Sequence, residues 1–360
     1  MTSIILDREA ATDSTARLPI ADDRAMLKAA AELTRDINAP RAGIYWGDFL
    51  GSVAIGYAGL VLAVLSGSTW IAIAAALIAV LALYRALSFI HELTHVRHAV
   101  LPGFRFAYNL FIGVPMLVPS FMYEGVHNLH HARTRYGTSE DPEYLPLALM
   151  KPWTLPAFIV VAGLTPIALM FRFAVLSPLS LLIPPLRRMV VERYSALAIN
   201  PAFRRRMPEG DFRAQWNRIE IACACWAIAL LALVATGTLP LRAFVIMLAI
   251  SSGVAVLNQV RTLVAHLWEN EGEAMTVTAQ YLDSVNVPPP GVLPALWAPV
   301  GLRYHALHHL LPGVPYHSLG EAHRRLTAAL DAGSCYHNAS YRSLPYLVGK
   351  IARSTMLPRR

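Results

Sequence analysis

Two long apolar runs, Phe49 to Leu65 and Trp70 to Ile90, lie back to back across the short turn Ser66-Gly67-Ser68-Thr69. Trp70 to His91 is 21 residue steps, about 32 Å of helix at 1.5 Å per residue, which matches the hydrocarbon thickness of a bilayer. A chain built on such runs must satisfy its backbone inside helices that cross lipid. The rest of the composition agrees. Of 360 residues, 55% are hydrophobic and 15% charged, with a mean hydropathy of +0.44; a soluble domain carries about 25% charged residues. The sequence therefore predicts an all-α integral membrane protein.

Further apolar segments follow. Phe104 to Phe121 is broken by Gly113, Pro115 and Pro119, which predicts a re-entrant or interfacial segment. Trp153 to Leu186 holds Pro156, Pro166, Pro178, Pro184 and Pro185 and reads as a short hairpin or an interfacial pair that returns to its starting side. Ile219 to Leu239 and Leu241 to about Ala265 form a last crossing hairpin, giving four to six spans. Residues 1–46 are expected to form a polar cytoplasmic arm without a cleavable signal, 47–330 the membrane domain and 331–360 a cytoplasmic tail. The basic stretch Arg187 to Arg218, with Arg187, Arg188, Arg193, Arg204, Arg205, Arg206, Arg213 and Arg218, falls on the cytoplasmic side by the positive-inside rule. That also accounts for the net charge of +8. No aromatic-basic motif or zinc-finger spacing points to nucleic acid.

Three cysteines cannot build a disulfide framework or an iron–sulfur site. The 13 histidines are far from evenly spread. Three clusters stand out: His91-Glu92-Leu93-Thr94-His95, His127-Asn128-Leu129-His130-His131 and His305-Ala306-Leu307-His308-His309. At this histidine frequency one HxxHH is expected about 0.02 times by chance, and there are two. On a helix, i and i+4 share a face, so His91 and His95 address one point, and HxxHH is expected to bring three rings together. Eight imidazoles exceed the needs of one tetrahedral zinc and suit two iron ions of higher coordination number.

His266, at the end of the last apolar run, falls at the same membrane face and is a ninth candidate ligand. His98, three residues after His95, is a possible further ligand, whereas His317, His323 and His337 lack an HxxH partner and read as surface or supporting residues. Glu92, Glu124 and Asp141 lie near enough in sequence to orient the imidazoles through their second ring nitrogen.

With these residues in place, Phe49 to Leu326 resembles the membrane fatty acid desaturase and hydroxylase superfamily. The resemblance rests on the three boxes, their order and their separation by apolar hairpins. It extends to Thr134 and Asp141-Pro142-Glu143 after the second box and to Leu310-Leu311-Pro312-Gly313-Val314-Pro315-Tyr316, Leu319, Glu321, Ala322 and His323 after the third. The three residues inside the first box are similar to acyl-lipid desaturases; the HxxHH second box is unlike the HxxxHH of alkane hydroxylases. His305 stands where front-end desaturases have Gln, and no cytochrome b5 motif is fused on.

What the resemblance implies is a cytoplasmic histidine-box cap holding two Fe ions with O2 as co-substrate, in the inner membrane if the source is bacterial. The expected ligands are His91, His95, His127, His130, His131, His266, His305, His308 and His309. The expected reaction is desaturation of a fatty acyl chain, with hydroxylation by the same centre as the alternative. An external donor such as a ferredoxin would supply electrons. His91-Glu92-Leu93-Thr94-His95 also fits the HExxH of an intramembrane metalloprotease, with Asp283 as third ligand, but that activity has no use for two HxxHH boxes. A metal transporter would line its spans with ligands instead of gathering them at one face.

Overall fold

A computed structural model describes residues 20–147 and 150–356. In chain order the helices are α1 (Arg24–Leu33), α2 (Ala42–Leu65), α3 (Thr69–His95), α4 (Phe104–Tyr108), α5 (His127–His130), α6 (Thr154–Phe171), α7 (Ser177–Leu182), α8 (Pro184–Tyr194), α9 (Gly210–Ala235), α10 (Leu241–Leu263), α11 (Val277–Asp283), α12 (Pro294–Trp297), α13 (His305–Leu310), α14 (Leu319–Ala329) and α15 (Leu344–Met356). The described residues contain no strand, only isolated bridges. Five helical stretches are long and apolar enough to cross a membrane: α2, α3, Thr154–Leu182, α9 and α10.

The α2–α3 hairpin forms where the sequence placed it, but both helices run past the apolar limits, α2 starting at Ala42 and α3 ending at His95. They pack closely because α2 carries Gly56 and Gly59 at the contact. A Cβ on Gly59 would sit 2.9 Å from Ala75 O and 3.1 Å from Ala79 N, backbone atoms with nowhere to go. Lipid offers no hydrophobic drive between helices, so this small-residue contact is what lets dispersion act. The far end of α3 is different. From Ala86 to Leu93 every side chain is buried, because the helix leaves the bundle face and enters a cap built by later parts of the chain.

Polar ties join the hairpin to that cap. Arg85 pairs with Asp48 at 2.5 Å, Asp48 accepts from the Tyr316 hydroxyl at 2.9 Å, and Glu92 takes both the Tyr45 hydroxyl and, at 3.3 Å, the Tyr316 N–H. Tyr316 closes the loop that follows the third histidine box, so the first and third boxes are locked to one another through α2.

The long apolar stretch after Trp153, whose Thr154–Leu182 part is long and apolar enough to span, returns toward its starting side as its prolines predict. Leu155 packs with Leu263 and Trp268 at the cap end, and Ser252 of α10 donates to Gly163 O at 2.8 Å deeper in the bundle. A π-helical segment, Arg172–Leu176, joins α6 to α7. There the buried Arg172 pairs with Glu220 of α9 at 2.8 Å and donates to Tyr194 O at 3.1 Å. Beyond α8 the chain is back at the cap, with Leu197 N on Met122 O and Ile199 N on Pro142 O. The helix is long enough to span, yet the segment starts and ends beside the same structures. Phe104 to Phe121 also stays near the cap end: α4 runs into a π-helical turn, Asn109–Gly113, whose Asn109 side chain holds Ser120 through two bonds of 2.9 Å. The flanks join in, with α1 against α14 and Leu347 and Ile351 of α15 in the core around Trp268.

Candidate metal centre

The nine expected histidines gather at the cap end of the bundle in two groups. His91, His95, His127, His131 and His308 form one, and His130, His266, His305 and His309 the other; in each, one ring nitrogen per residue lies within 4.8 Å of all the others. Seven of the nine are buried and His95 and His131 are half-buried. The groups abut, the His131 and His309 rings stacking with centroids 4.4 Å apart.

HxxHH does not bring three rings to one point, as the sequence suggested. In the second box His127 and His131 join the first group and His130 the second; in the third box His305 and His309 join the second group and His308 the first. Helix geometry explains this. The i+4 side chain stands about 40° from i on one side and i+3 about 60° on the other, so the pair at i and i+4 shares a target while i+3 faces a neighbouring one. Each short helix thereby straddles two groups.

His266 is not on α10, which ends at Leu263. It sits on an extended stub bridged to Ser284, with Leu267 N on Asp283 O at 2.7 Å and Val285 N on Ala265 O at 2.9 Å. His98 is exposed, His317, His323 and His337 are half-buried, and all four lie outside both groups. Asp283, the third ligand of the protease reading, lies in the neighbourhood of His266 and not with His91 and His95.

The supporting shell differs from the sequence expectation. Asp141 does orient a ring, taking His130 Nδ1 at 2.9 and 3.0 Å, and is itself fixed by Gly137 N at 2.9 Å and Glu143 N at 2.8 Å. Glu92 comes no closer than 3.6 Å to His91 Nδ1, and Glu124 pairs with Arg105 at 2.6 Å. The residues that the reading missed are Glu143 and Tyr123 on His127 Nδ1, at 2.8 and 2.9 Å, and Tyr136 and Ser284 on His266 Nδ1, at 2.8 and 3.2 Å. Asp283 and Tyr144 back up Tyr136: its hydroxyl donates to Asp283 at 2.8 Å, as does Tyr144 at 3.2 Å. Tyr123 was findable, only four residues before His127; Tyr136 and Asp283, 147 residues apart, were not.

The donor set fits metal ions. Burial, reinforced by neighbouring imidazoles, holds His127, His131, His266, His305, His308 and His309 well below the ordinary histidine range, so these rings are neutral and offer a lone pair. Burial presses on His130 too, but the Asp141 carboxylate outweighs it and lifts that ring above its usual value. Burial also pushes Glu143 up to about 7 and Asp283 up to about 6. Nε2 atoms face one another at 2.9 Å for His127 and His131, 3.1 Å for His95 and His308, and 3.1 Å for His266 and His305. Where Nδ1 carries the proton toward a carboxylate, as at His127, Nε2 is a bare lone pair, and two such atoms repel unless a cation lies between. Two nitrogens bound at right angles to one ion, each about 2.1 Å away, stand about 3 Å apart. His91 is the clearest case: it is buried and neither ring nitrogen has a hydrogen-bond partner, a cost that a metal bond removes.

A cavity of about 530 Å³ opens against the first group, with His91, Tyr123 and Glu143 in its wall. Most of the remainder comes from apolar side chains of α3, α6 and α10, among them Leu87, Val161, Leu169 and Val254. Its size and apolar lining suit a hydrocarbon chain.

The fatty acid desaturase family model matches residues 68–341, well over half of the chain. The chain belongs to the fatty acid desaturase family. Within it, the chain is 49% identical over 333 residues to a ceramide hydroxylase of Caulobacter vibrioides (strain NA1000 / CB15N), covering 92% of this chain and 95% of that protein. No solved structure matches it significantly. As a desaturase-family member it is an oxidoreductase-type enzyme of lipids carried on a membrane-competent helical bundle, and the two histidine groups fit the di-iron site typical of that family.

Proposed function

We propose that this protein uses O2 to hydroxylate a carbon in the chain of a ceramide-like lipid, at two iron ions held by the nine clustered histidines. His91, His95, His127, His131 and His308 would hold one ion and His130, His266, His305 and His309 the other. The observation that carries the reading is the pair of buried histidine groups with His91 in the wall of an apolar cavity of about 530 Å³. Likeness to a ceramide hydroxylase favours hydroxylation over the desaturation that the box spacings put first. When bound, the irons would supply the activation of O2 needed to attack an unactivated C–H bond.

The chain's own residues do the rest. The cavity walls exclude water and hold the lipid still beside His91, which is worth more to the rate than any single contact. Asp141, Glu143 and Tyr136 fix three rings through Nδ1 so that each Nε2 points inward. One atom of O2 enters the C–H bond; the other leaves as water with two protons and two electrons. Those electrons come from an external carrier. A small acidic ferredoxin fits the exposed Arg188, Arg204, Arg206, Arg213 and Arg218, whereas Arg205 is buried and Arg187 is tied to Glu220. By the positive-inside rule this face is cytoplasmic.

The test is expression in a ceramide-producing host under isotopically labelled O2, with lipid mass spectrometry. Hydroxylation adds one labelled oxygen to a ceramide, and desaturation instead removes two hydrogens. An unchanged ceramide pool in iron-replete cells would sink both readings.

A further inference from the structure

The cavity wall is mainly apolar, with polar groups beside the histidines (His91, Glu143), around Arg172 and Arg193, and on the last turns of α10. On α10 the lining positions include Ser251, Val254, Ala255, Asn258 and Thr262, one face of the helix at steps of three and four. The deeper part of this face is small or apolar; the last turn before the cap adds Asn258, Gln259 and Arg261. Among the described residues neither the Asn258 nor the Gln259 carboxamide has a hydrogen-bond partner, though both are half-buried in the wall. Arg261 is buried and has no carboxylate partner among the described residues; its guanidinium lies 3.2 Å from His305 Nδ1 and has further N–H donors. A wholly hydrocarbon segment lying here would desolvate two carboxamides and a guanidinium and give them nothing in return.

We propose that the last turn of α10 is the receptor for the polar end of the substrate. Asn258, Gln259 and Arg261 bind the amide and hydroxyl groups of an N-acylated lipid, so that the carbon offered to the histidine centre lies within a few bonds of that polar backbone, not midway along an aliphatic chain. This deepens the reading above and rests on it for the lipid class. The geometry sets the position: Arg261 touches a histidine of the second group, and Asn258 stands one helical turn, about 5 Å, behind it. A group held by these side chains is therefore next to the metals, and the two chains of the lipid run away from them between α6 and α10. Chemically, a carboxamide donates and accepts at once and so matches an amide flanked by hydroxyls, while a guanidinium matches a carbonyl oxygen.

Two measurements test this separately from the reaction type. The first is binding to the purified, iron-loaded full chain of a ceramide and of an analogue in which methylenes replace the amide. Asn258→Leu and Gln259→Met, which keep size, are expected to weaken ceramide binding tenfold or more and leave binding of the analogue within twofold, with iron content unchanged. Equal binding of the ceramide by wild type and both variants would overturn the proposal, whatever the reaction proves to be. Should Asn258→Leu fail to fold, Gln259→Met and Asn258→Gln carry the same comparison. The second is the position of the change in the product by fragmentation mass spectrometry. A hydroxyl, or a double bond if the hydroxylation reading fails, within a few carbons of the amide or sphingoid hydroxyls supports the receptor; one near mid-chain or at the methyl end refutes it.

Discussion

His98 and His266 look alike in the sequence, each a lone ring beside the boxes, and their environments part them. His266 is buried among three other histidines, with Nδ1 held by Tyr136, while His98 is exposed and outside both groups. His266→Ala should therefore lose up to one of two bound irons along with activity, and His98→Ala should keep both, as measured by metal analysis of the purified chain. Full iron in His266→Ala would remove it from the ligand set. At the supporting shell, Asp141→Asn keeps the side chain's size but replaces an anionic acceptor that fixes His130 Nδ1. Losses of such partners cost about 10–100-fold in metal affinity, so iron retention under a competing chelator should fall by that order. Loss as small as that of His337→Ala would mean that Asp141 only shapes its turn.

At the level of elements, the π-helical joint between α6 and α7 depends on one buried ion pair. Arg172 and Glu220 are 3% and 5% exposed, and Glu220 also takes Arg187 at 2.7 Å and Trp216 Nε1 at 3.0 Å. Removing one partner leaves a charge in an apolar place and costs about 3–5 kcal/mol, whereas replacing both by apolar residues is often neutral. Glu220→Leu should accordingly lower the melting temperature strongly and Arg172→Met/Glu220→Leu should recover most of it; a double variant as unstable as the single would show that the pair gives net stability. The α2–α3 hairpin has a simpler dependence. Gly59→Leu places a side chain against the backbone of Ala75 and Ala79, which should split the hairpin and cut the yield of folded protein in detergent, while Gly51→Leu, with open space around its Cβ position, should not.

For the molecule as a whole, the histidine groups, the returning α8 segment and the flanking helices α1 and α15 all meet at one end of the bundle. The opposite end is marked by Ser66 and by Arg242, which donates to Val64 O at 2.7 Å. If the positive-inside rule sets the orientation, single cysteines at Lys28 and Arg206 should react with an impermeant reagent only from the cytoplasmic side, and one at Gly67 only from the other. Labelling of Arg206 and Gly67 positions from the same side would break the topology.

The sequence alone determined what periodicity and hydropathy can carry: an all-helical membrane bundle, the hairpin at Ser66 and the set of nine histidines that gather at one end of it. These are local or additive properties, and each histidine box lies on a single turn whose geometry is fixed by 3.6 residues per turn. Tertiary structure alone decided how the rings divide into five and four, because that depends on how three short helices from distant parts of the chain face one another. It likewise set the Tyr136–Asp283 support of His266, made across 147 residues, and the pairing of the buried Arg172 with Glu220 at the π-helical joint after α6. Lipid selects for apolar length, but only packing against a specific neighbour tells a helix whether to cross or to bend.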